Sequence, residues 1–394
     1  MPQIYNWLRR MQSISTKLKL DVMIYNPFFT SGYVSPEYFC DRESETQQLI
    51  QNIQGHSHTV LISPRRMGKT GLIEHCFNQE IIKRDYHTFF IDIYSTLNLN
   101  DFVFLLGNRI CRSLKTKDKQ LMELFVKVVK SIQFTIGFDE AGMMNGSFGL
   151  GDIKDSQRSL EEIFQYLEEA KRPCVVAIDE FQQIEKYPEK NVEALLRTYI
   201  QHCNNATFIF AGSQRHIIQN MFASASKPFY NSSSMMSLGP IAKEEYVKFA
   251  VRLFSKYRKT CAPEWVENLY DTLEGHTWYM QAVLYLAFYM TDKNCSPSII
   301  NEALLKRVAD NENVFESMYY GLSERQRQVL KAIAIEGKAK QTQSVAFIKK
   351  YGLTSASSVQ SAIRQLMEKD LITTERNAYR VDDRFFGFWL KNQL

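Results

Sequence analysis

The sequence predicts an α/β fold: a parallel sheet with helices on both faces, followed by a run of helices and a small helix-and-hairpin module. Three observations predict it. Thr59-Val-Leu-Ile-Ser63-Pro64-Arg65-Arg66-Met67-Gly68-Lys69-Thr70-Gly71 is an apolar strand run feeding a tight basic loop that opens a helix. Pro173-Cys-Val-Val-Ala-Ile-Asp179-Glu180 is a continuous apolar run ending in two adjacent carboxylates. A strand buried on both faces reads this way, and its carboxyl end is where an open α/β sheet places ligands. From Lys243 onward the apolar spacing becomes helical, and the last 72 residues combine helix, helix-turn-helix and hairpin signals.

Composition bounds the alternatives. A chain of 394 residues has material for two or three domains, and 45% hydrophobic with 23% charged residues is an ordinary soluble globular balance. Seven cysteines without a C-x-x-C pair suit a reducing cytosol and no zinc site. No apolar run reaches about eighteen residues, so a cytoplasmic chain without a membrane span is expected. The net charge of +5 is concentrated at the C-terminus, where residues 323–394 carry 13 Lys and Arg against 7 Asp and Glu. Such a balance suits a nucleic-acid module.

In chain order, residues 1–25 read as a basic, amphipathic N-terminal tail lacking the apolar core of a secretory leader. The segment from Asn26 to Glu43 is aromatic and turn-rich, and Asp41 or Ser44 is placed to cap a helix running to about Ile53. The strand–loop–helix that follows is read as a nucleotide triphosphate-binding P-loop spanning Ser63 to Gly71, with Ser63 in place of the usual first glycine. Its backbone N–H groups surround the phosphates, Lys69 sets a point charge on the β and γ phosphates, and Thr70 offers a hydroxyl to Mg²⁺. Thr88 to Tyr94 is the second strand, and helices follow over about 99–115 and 118–132. The glycine-rich stretch Thr135 to Ser156 is either a β-hairpin insertion or a surface loop. A helix over about 157–171 leads into the Asp179-Glu180 strand, where Asp179 would face the Mg²⁺ held by Thr70 and Glu180 would polarise the attacking water. Ala206 to Gly212 is a fourth strand ending in Ser213, Gln214 and Arg215, and Met236 to Ile241 is a short fifth. Helices are expected over about 243–258, 263–273, 277–292 and 297–311. Ser323 to Gln326 then reads as a capping box, Ser355 opens a later helix with Val359, Ile363, Leu366 and Met367 on one face, and Leu371 to Val381 alternates as a hairpin. Together these make a winged helix. His75, His87, His202, His216 and His276 lack metal-ligand spacing, and no nuclease, protease or transferase motif accompanies the core.

Phe39-x-x-Arg42-Glu43, ahead of a P-loop strand, resembles the F-x-G-R-E step of AAA+ ATPases, with Asp41 in the glycine's place. That resemblance implies that Phe39 and Arg42 fold over the adenine. It also implies a γ-phosphate sensor at Ser213 or Gln214, a phosphate-reaching Arg215, and a sheet order of 5-1-4-3-2. Gly275 to Gln281 is similar to the lid step of archaeal-type ATPases, with Thr277 replacing a proline, and Tyr379 to Leu390 resembles their closing strand and helix. Residues 26–394 thus resemble the archaeal-ATPase/STAND branch of P-loop NTPases: an ATPase core over 26–241, a helical lid over 242–313 and a winged helix over 314–394. The resemblance implies binding of ATP with Mg²⁺, slow hydrolysis and nucleotide-controlled movement, and it leaves oligomerisation open. Three outputs remain: a regulatory ATPase whose winged helix contacts duplex DNA, a switch whose winged helix binds protein, and a nucleotide binder without turnover. The intact Lys69, Thr70, Asp179 and Glu180 argue against the last. For DNA, Arg364 is the strong contact of the third winged-helix segment, with Ser357, Ser358, Gln360 and Ser361 as weaker ones.

Overall fold

The computed structural model describes residues 26–114, 119–132, 135–138, 144–147, 153–375 and 377–392, which divide into two units: 31–241, and 242–392 with 26–30. In the first unit five strands form one sheet: β1 (Thr59–Ile62), β2 (His87–Asp92), β5 (Cys174–Asp179), β6 (Ala206–Gly212) and β7 (Ser234–Ser237). Their order is β2-β5-β6-β1-β7 and every pairing is parallel. Counting these five alone in chain order gives 2-3-4-1-5, the expected 5-1-4-3-2 read from the other edge.

The period of two along each strand sorts its apolar run between two cores. Val60, Ile62, Val176, Ile178, Phe208 and Phe210 face one side. That side is covered by α4 (Leu99–Leu114), α5 (Lys119–Val128), α6 (Ser156–Glu169), α7 (Val192–His202) and α8 (Arg215–Ala223). Leu61, Val175, Ala177, Ile209 and Ala211 face the other. There they meet α1 (Glu43–Gln54), α2 (Lys69–Phe77) and the short α3 (Glu80–Asp85). The helix before β1 is capped neither by Asp41 nor by Ser44. Arg42 is its N-cap in left-handed backbone, and the Ser44 hydroxyl instead donates to Glu45 Oε2. The glycine-rich stretch contains a hairpin, with β3 (Thr135–Phe138) antiparallel to β4 (Met144–Ser147).

The second unit is helical before it reaches a small hairpin. It comprises α9 (Lys243–Lys256), α10 (Pro263–Leu273), α11 (Thr277–Met290), α12 (Pro297–Ala309), α13 (Glu312–Tyr320), α14 (Glu324–Glu336), α15 (Val345–Lys350), α16 (Ala356–Glu368), β8 (Ile372–Glu375), β9 (Ala378–Val381) and α17 (Arg384–Asn392). Phe28 is fully buried in this unit, with ring centroids 5.5 Å from Phe254 and 6.0 Å from Phe288. The Ser323–Gln326 capping box is formed in both directions. Along α16, Val359, Ala362, Ile363 and Leu366 are buried, while Ser357, Gln360, Ser361 and Arg364 are exposed. The aromatic start of α11 packs inward, with Tyr279 4.8 Å from the ring of Phe385.

One ion cluster ties α10 to the winged helix inside this unit. Glu274, the left-handed C-cap of α10, holds Arg380 of β9 at 2.9 Å and Arg384 of α17 at 3.0 Å through the same carboxylate oxygen. Arg384 also donates to His276 Nε2 at 2.9 Å. Burial and the adjacent Arg380 pull the Arg384 pKa down, and Glu274 opposes them. Two of the basic residues that weight the C-terminal charge balance are therefore turned inward and share one counter-ion.

Candidate functional site

The phosphate loop is shaped at two residues. Arg66 (φ 65°) and Gly68 (φ 89°) take left-handed backbone, the kind of local conformation in which successive N–H groups can converge on an anion. Ser63 is absent from the positive-φ positions, so that place demands no glycine, and its buried hydroxyl closes on the Pro64 carbonyl at 2.9 Å. Pro64 and Arg65 are half-buried, Met67 is buried and Arg66 is exposed. A side-chain carbon at Gly68 would meet no protein atom within 4 Å, which leaves open ground for an anion. Gly68 then caps α2, whose first residues are Lys69 and Thr70.

Lys69 is 7% exposed, and burial lowers its pKa against the attraction of Asp179 and Glu180. Burial also raises Asp179, against the attraction of Lys69 and a hydrogen bond from Thr70. The Thr70 hydroxyl donates to Asp179 Oδ2 at 2.8 Å, so loop and strand end meet where the sequence set them. A hydroxyl and a partly uncompensated buried carboxylate side by side are hard oxygen donors of the kind Mg²⁺ takes together with water and phosphate oxygens. These residues fit that ion. Among the described residues there is no cluster of three or more His, Cys, Asp or Glu that could hold a metal by itself.

Glu180 follows in left-handed backbone (φ 56°, ψ 39°), which turns its side chain out of the strand line. The turn is fastened from below, because Phe181 is fully buried and its ring lies 4.6 Å from Phe210 and 5.4 Å from Phe229. Ser213 Oγ donates to Glu180 Oε2 at 2.8 Å, and Gln182 Nε2 donates to the same oxygen. Arg65 Nε reaches Ser213 Oγ at 3.4 Å, so the loop, Ser213 and Glu180 form one hydrogen-bonded chain. Gln214 and Arg215 open α8, as its N-cap and first residue, and both are half-buried. Of these three, Ser213 is hydrogen-bonded to Glu180.

Phe39 lies over the start of α2, where a side-chain carbon at Gly71 would come within 3.5 Å of its ring. It stacks on His75 at 4.2 Å, and His75 Nδ1 pairs with the Tyr33 hydroxyl at 3.0 Å. This makes an aromatic platform beside the loop. Arg42 is turned elsewhere: Nη1 donates to Glu45 at 2.7 Å and Nη2 to the carbonyl of Gly239 at 2.5 Å. Burial would raise the Glu45 pKa, but the bonds from Arg42 and Ser44 outweigh it and the net shift is downward. Arg42 thus pins the platform segment to the chain beyond β7.

Two site residues were not legible in the sequence. Gln182 becomes significant only because Glu180 turns left-handed, which no periodicity announces. Gly212 matters because an added Cβ would sit 2.3 Å from Gln182 Oε1 and 2.6 Å from Ile218. Its glycine leaves room for the side chain that steadies Glu180.

A family model described as an ATPase domain predominantly from Archaea matches residues 39–283, and one described as a probable winged helix domain matches 313–392. Among solved structures, a Walker-type ATPase of Pyrococcus abyssi is similar at a TM-score of 0.65 and 17% identity, over 93% of this chain and 99% of that one. The ORC2 protein of Aeropyrum pernix, solved as ADPNP–ADP complexes, is similar at 0.60 and 15%, over 93% and 95%. The ORC1 protein of the same organism, solved in complex with DNA, is similar at 0.51 and 11%, over 94% and 96%. No curated protein sequence matches the chain.

Proposed function

The chain belongs to the family of ATPase domains found predominantly in Archaea, and from that premise we propose that it binds ATP with Mg²⁺, hydrolyses it slowly, and regulates a winged helix that contacts duplex DNA. The observation that carries the hydrolytic reading is the hydrogen-bonded set of Thr70, Asp179, Glu180 and Ser213, which joins a metal-binding pair to an oriented carboxylate.

The chain's own residues then have separable tasks. Backbone N–H groups around Gly68 and the Lys69 ammonium take the phosphates of ATP, and Phe39 with its His75 stack offers a face to the adenine. Thr70 and Asp179 hold the Mg²⁺, which when bound neutralises charge on the β and γ phosphates. Glu180 accepts a proton from water as its oxygen bonds to the γ-phosphorus, and the bond from that phosphorus to the β–γ bridging oxygen breaks to leave ADP. Ser213 and Gln182 fix the carboxylate's direction, so the water is met in one geometry. Arg65, bonded to Ser213, and Arg215, the first residue of α8, are the cations we assign to the transferred phosphate.

The DNA reading rests on α16, whose exposed Ser357, Gln360, Ser361 and Arg364 are flanked by exposed Lys349, Lys350 and Lys369. The similar Aeropyrum pernix ORC1 structure holds DNA, which agrees with this use of the fold. A protein-facing winged helix is the second reading, favoured by the hydroxyl-rich, weakly charged face of α16 itself. Turnover and gel shift measured on the full chain, with and without duplex DNA, decide between them. Phosphate release that rises with DNA supports the first; no shift at low salt gives the second.

A further inference from the structure

Two thiols stand side by side where two helices of the second unit begin. Cys261 precedes Ala262, the N-cap of α10, and Cys295 precedes Ser296, the N-cap of α12; each helix opens on a proline. The segments leading into them run parallel. Thr260 pairs with Asn294, its N–H donating to the Lys293 carbonyl at 2.7 Å, while the Cys295 N–H donates back to the Thr260 carbonyl at 2.7 Å. The two cysteines are the next residues in that register. Paired strands lie about 4.8 Å apart, inside the roughly 4.4–6.8 Å between α-carbons that a disulfide spans. We propose that Cys261 and Cys295 form an oxidation site that closes reversibly to a disulfide and ties the start of α10 to the start of α12.

The surroundings select Cys295 as the attacking sulfur. The hydrogen bond it accepts from Cys261 draws its pKa below that of an ordinary thiol against the effect of burial, and the Lys259 ammonium adds to the pull. Donating that bond raises Cys261. Lys259 is held in place by the carbonyls of Phe288 and Thr291. Both cysteines are nearly buried, at 5% and 7% exposed, so a small oxidant suits the site better than a bulky one. The chain contains its own contrast: Cys174 and Cys203 are also near each other, yet burial pushes each up to about 12. Those two stay protonated and unreactive.

The oxidant is a hydroperoxide, hydrogen peroxide in the simplest case. The Cys295 thiolate attacks one peroxide oxygen; an S–O bond forms, the O–O bond breaks, and the departing hydroxide takes a proton. The Cys261 sulfur then attacks the Cys295 sulfenic acid. The S–S bond forms as the S–O bond breaks, and the leaving hydroxide takes the Cys261 proton. Two thiols and one hydrogen peroxide give one disulfide and two waters, with two electrons passing from sulfur to oxygen.

The test uses the reduced full chain treated with a few equivalents of hydrogen peroxide, blocked with N-ethylmaleimide and digested for mass spectrometry. The expected product is a peptide pair linking Cys261 to Cys295, about two mass units lighter than its reduced parts and released by dithiothreitol. Oxidation should raise the melting temperature by several degrees, about what closing a loop of this kind confers. Cys261→Ser and Cys295→Ser should each lose both effects while melting like the reduced wild type, with Cys261→Ala and Cys295→Ala as second variants if a serine is not tolerated. A stable sulfinic acid at Cys295, links among other cysteines, or no reaction while Cys174 and Cys203 are consumed would overturn the assignment.

Discussion

At the scale of single residues, the proposed hydrolysis rests on Glu180 as the base and on Ser213 and Gln182, which bond its carboxylate, for its direction. Glu180→Gln keeps shape and hydrogen bonding but removes the base, so turnover should fall about a hundredfold or more with ATP affinity unchanged. Lys69→Ala should instead weaken ATP binding about tenfold to a hundredfold, the worth of charge-assisted bonds to phosphate. Single-turnover phosphate release beside a binding titration separates the two; equal turnover in Glu180→Gln and wild type removes Glu180 from the role. Gln182→Leu fills the same space without the donor. It should lower kcat about tenfold while leaving ATP affinity intact, as expected of a positioning residue, and an unchanged kcat would reduce Gln182 to packing. Lys69, Thr70, Asp179 and Glu180 were legible as candidates because the chemistry prescribes their types and their places, the first two at a helix start after a loop and the last two at a strand end. Gln182 and Gly212 were not, since their meaning depends on one left-handed backbone and one close approach.

At the scale of elements, β5 and β6 were legible because they are buried at every position and so read as continuous apolar sequence; the fifth strand was placed too late, at 236–241, because the actual strand, Ser234–Ser237, is half-exposed and polar at both ends. The start of α1 was misread for a related reason. Asp41 (φ 53°), standing where the family pattern has glycine, and the following Arg42 (φ 71°) both adopt left-handed backbone, so Asp41 serves conformation rather than capping. The glycine-rich stretch left hairpin and loop open, and β3 with β4 shows why: its strands are glycine-bearing and short. The join between β1 and β6 carries a pH dependence. His58 accepts the Phe208 N–H at 3.2 Å, and burial, with Arg197 and His56 nearby, drops its pKa to about 4. The folded value lies below the unfolded one near 6.5, so the unfolded chain binds more protons between pH 6.5 and 4. Stability should therefore fall through that window as pH falls, by up to about 3 kcal/mol. Urea midpoints at pH 7 and 4.5 should drop further for wild type than for His58→Asn, which keeps an acceptor and does not titrate; parallel drops would remove His58 as the cause.

At the scale of the molecule, the winged helix was legible from periodicity, whereas the sheet order was anticipated through the family resemblance, since periodicity marks strands without ordering them. Surface charge was less legible. The excess in residues 323–394 includes Arg380 and Arg384, which the fold turns inward onto Glu274, so fewer cations face solvent than the count suggests. Arg364 remains exposed on α16 beside buried Ile363. Arg364→Glu in the full chain should abolish DNA binding and leave the melting temperature unchanged, and the wild-type affinity should fall steeply as salt rises. Retained binding in that variant removes α16 as the contact.

The shared carboxylate of Glu274 also governs how the molecule can be dissected. A fragment cut at residue 314 leaves Glu274 behind and strips two arginines of their counter-ion together. Such a piece would carry adventitious affinity for any polyanion, heparin as readily as DNA, and a positive gel shift from it would report the scissors rather than the protein. A fragment that keeps the acid and both arginines together begins near residue 242, and it must also carry residues 26–30, whose Phe28 fills the core of the same unit.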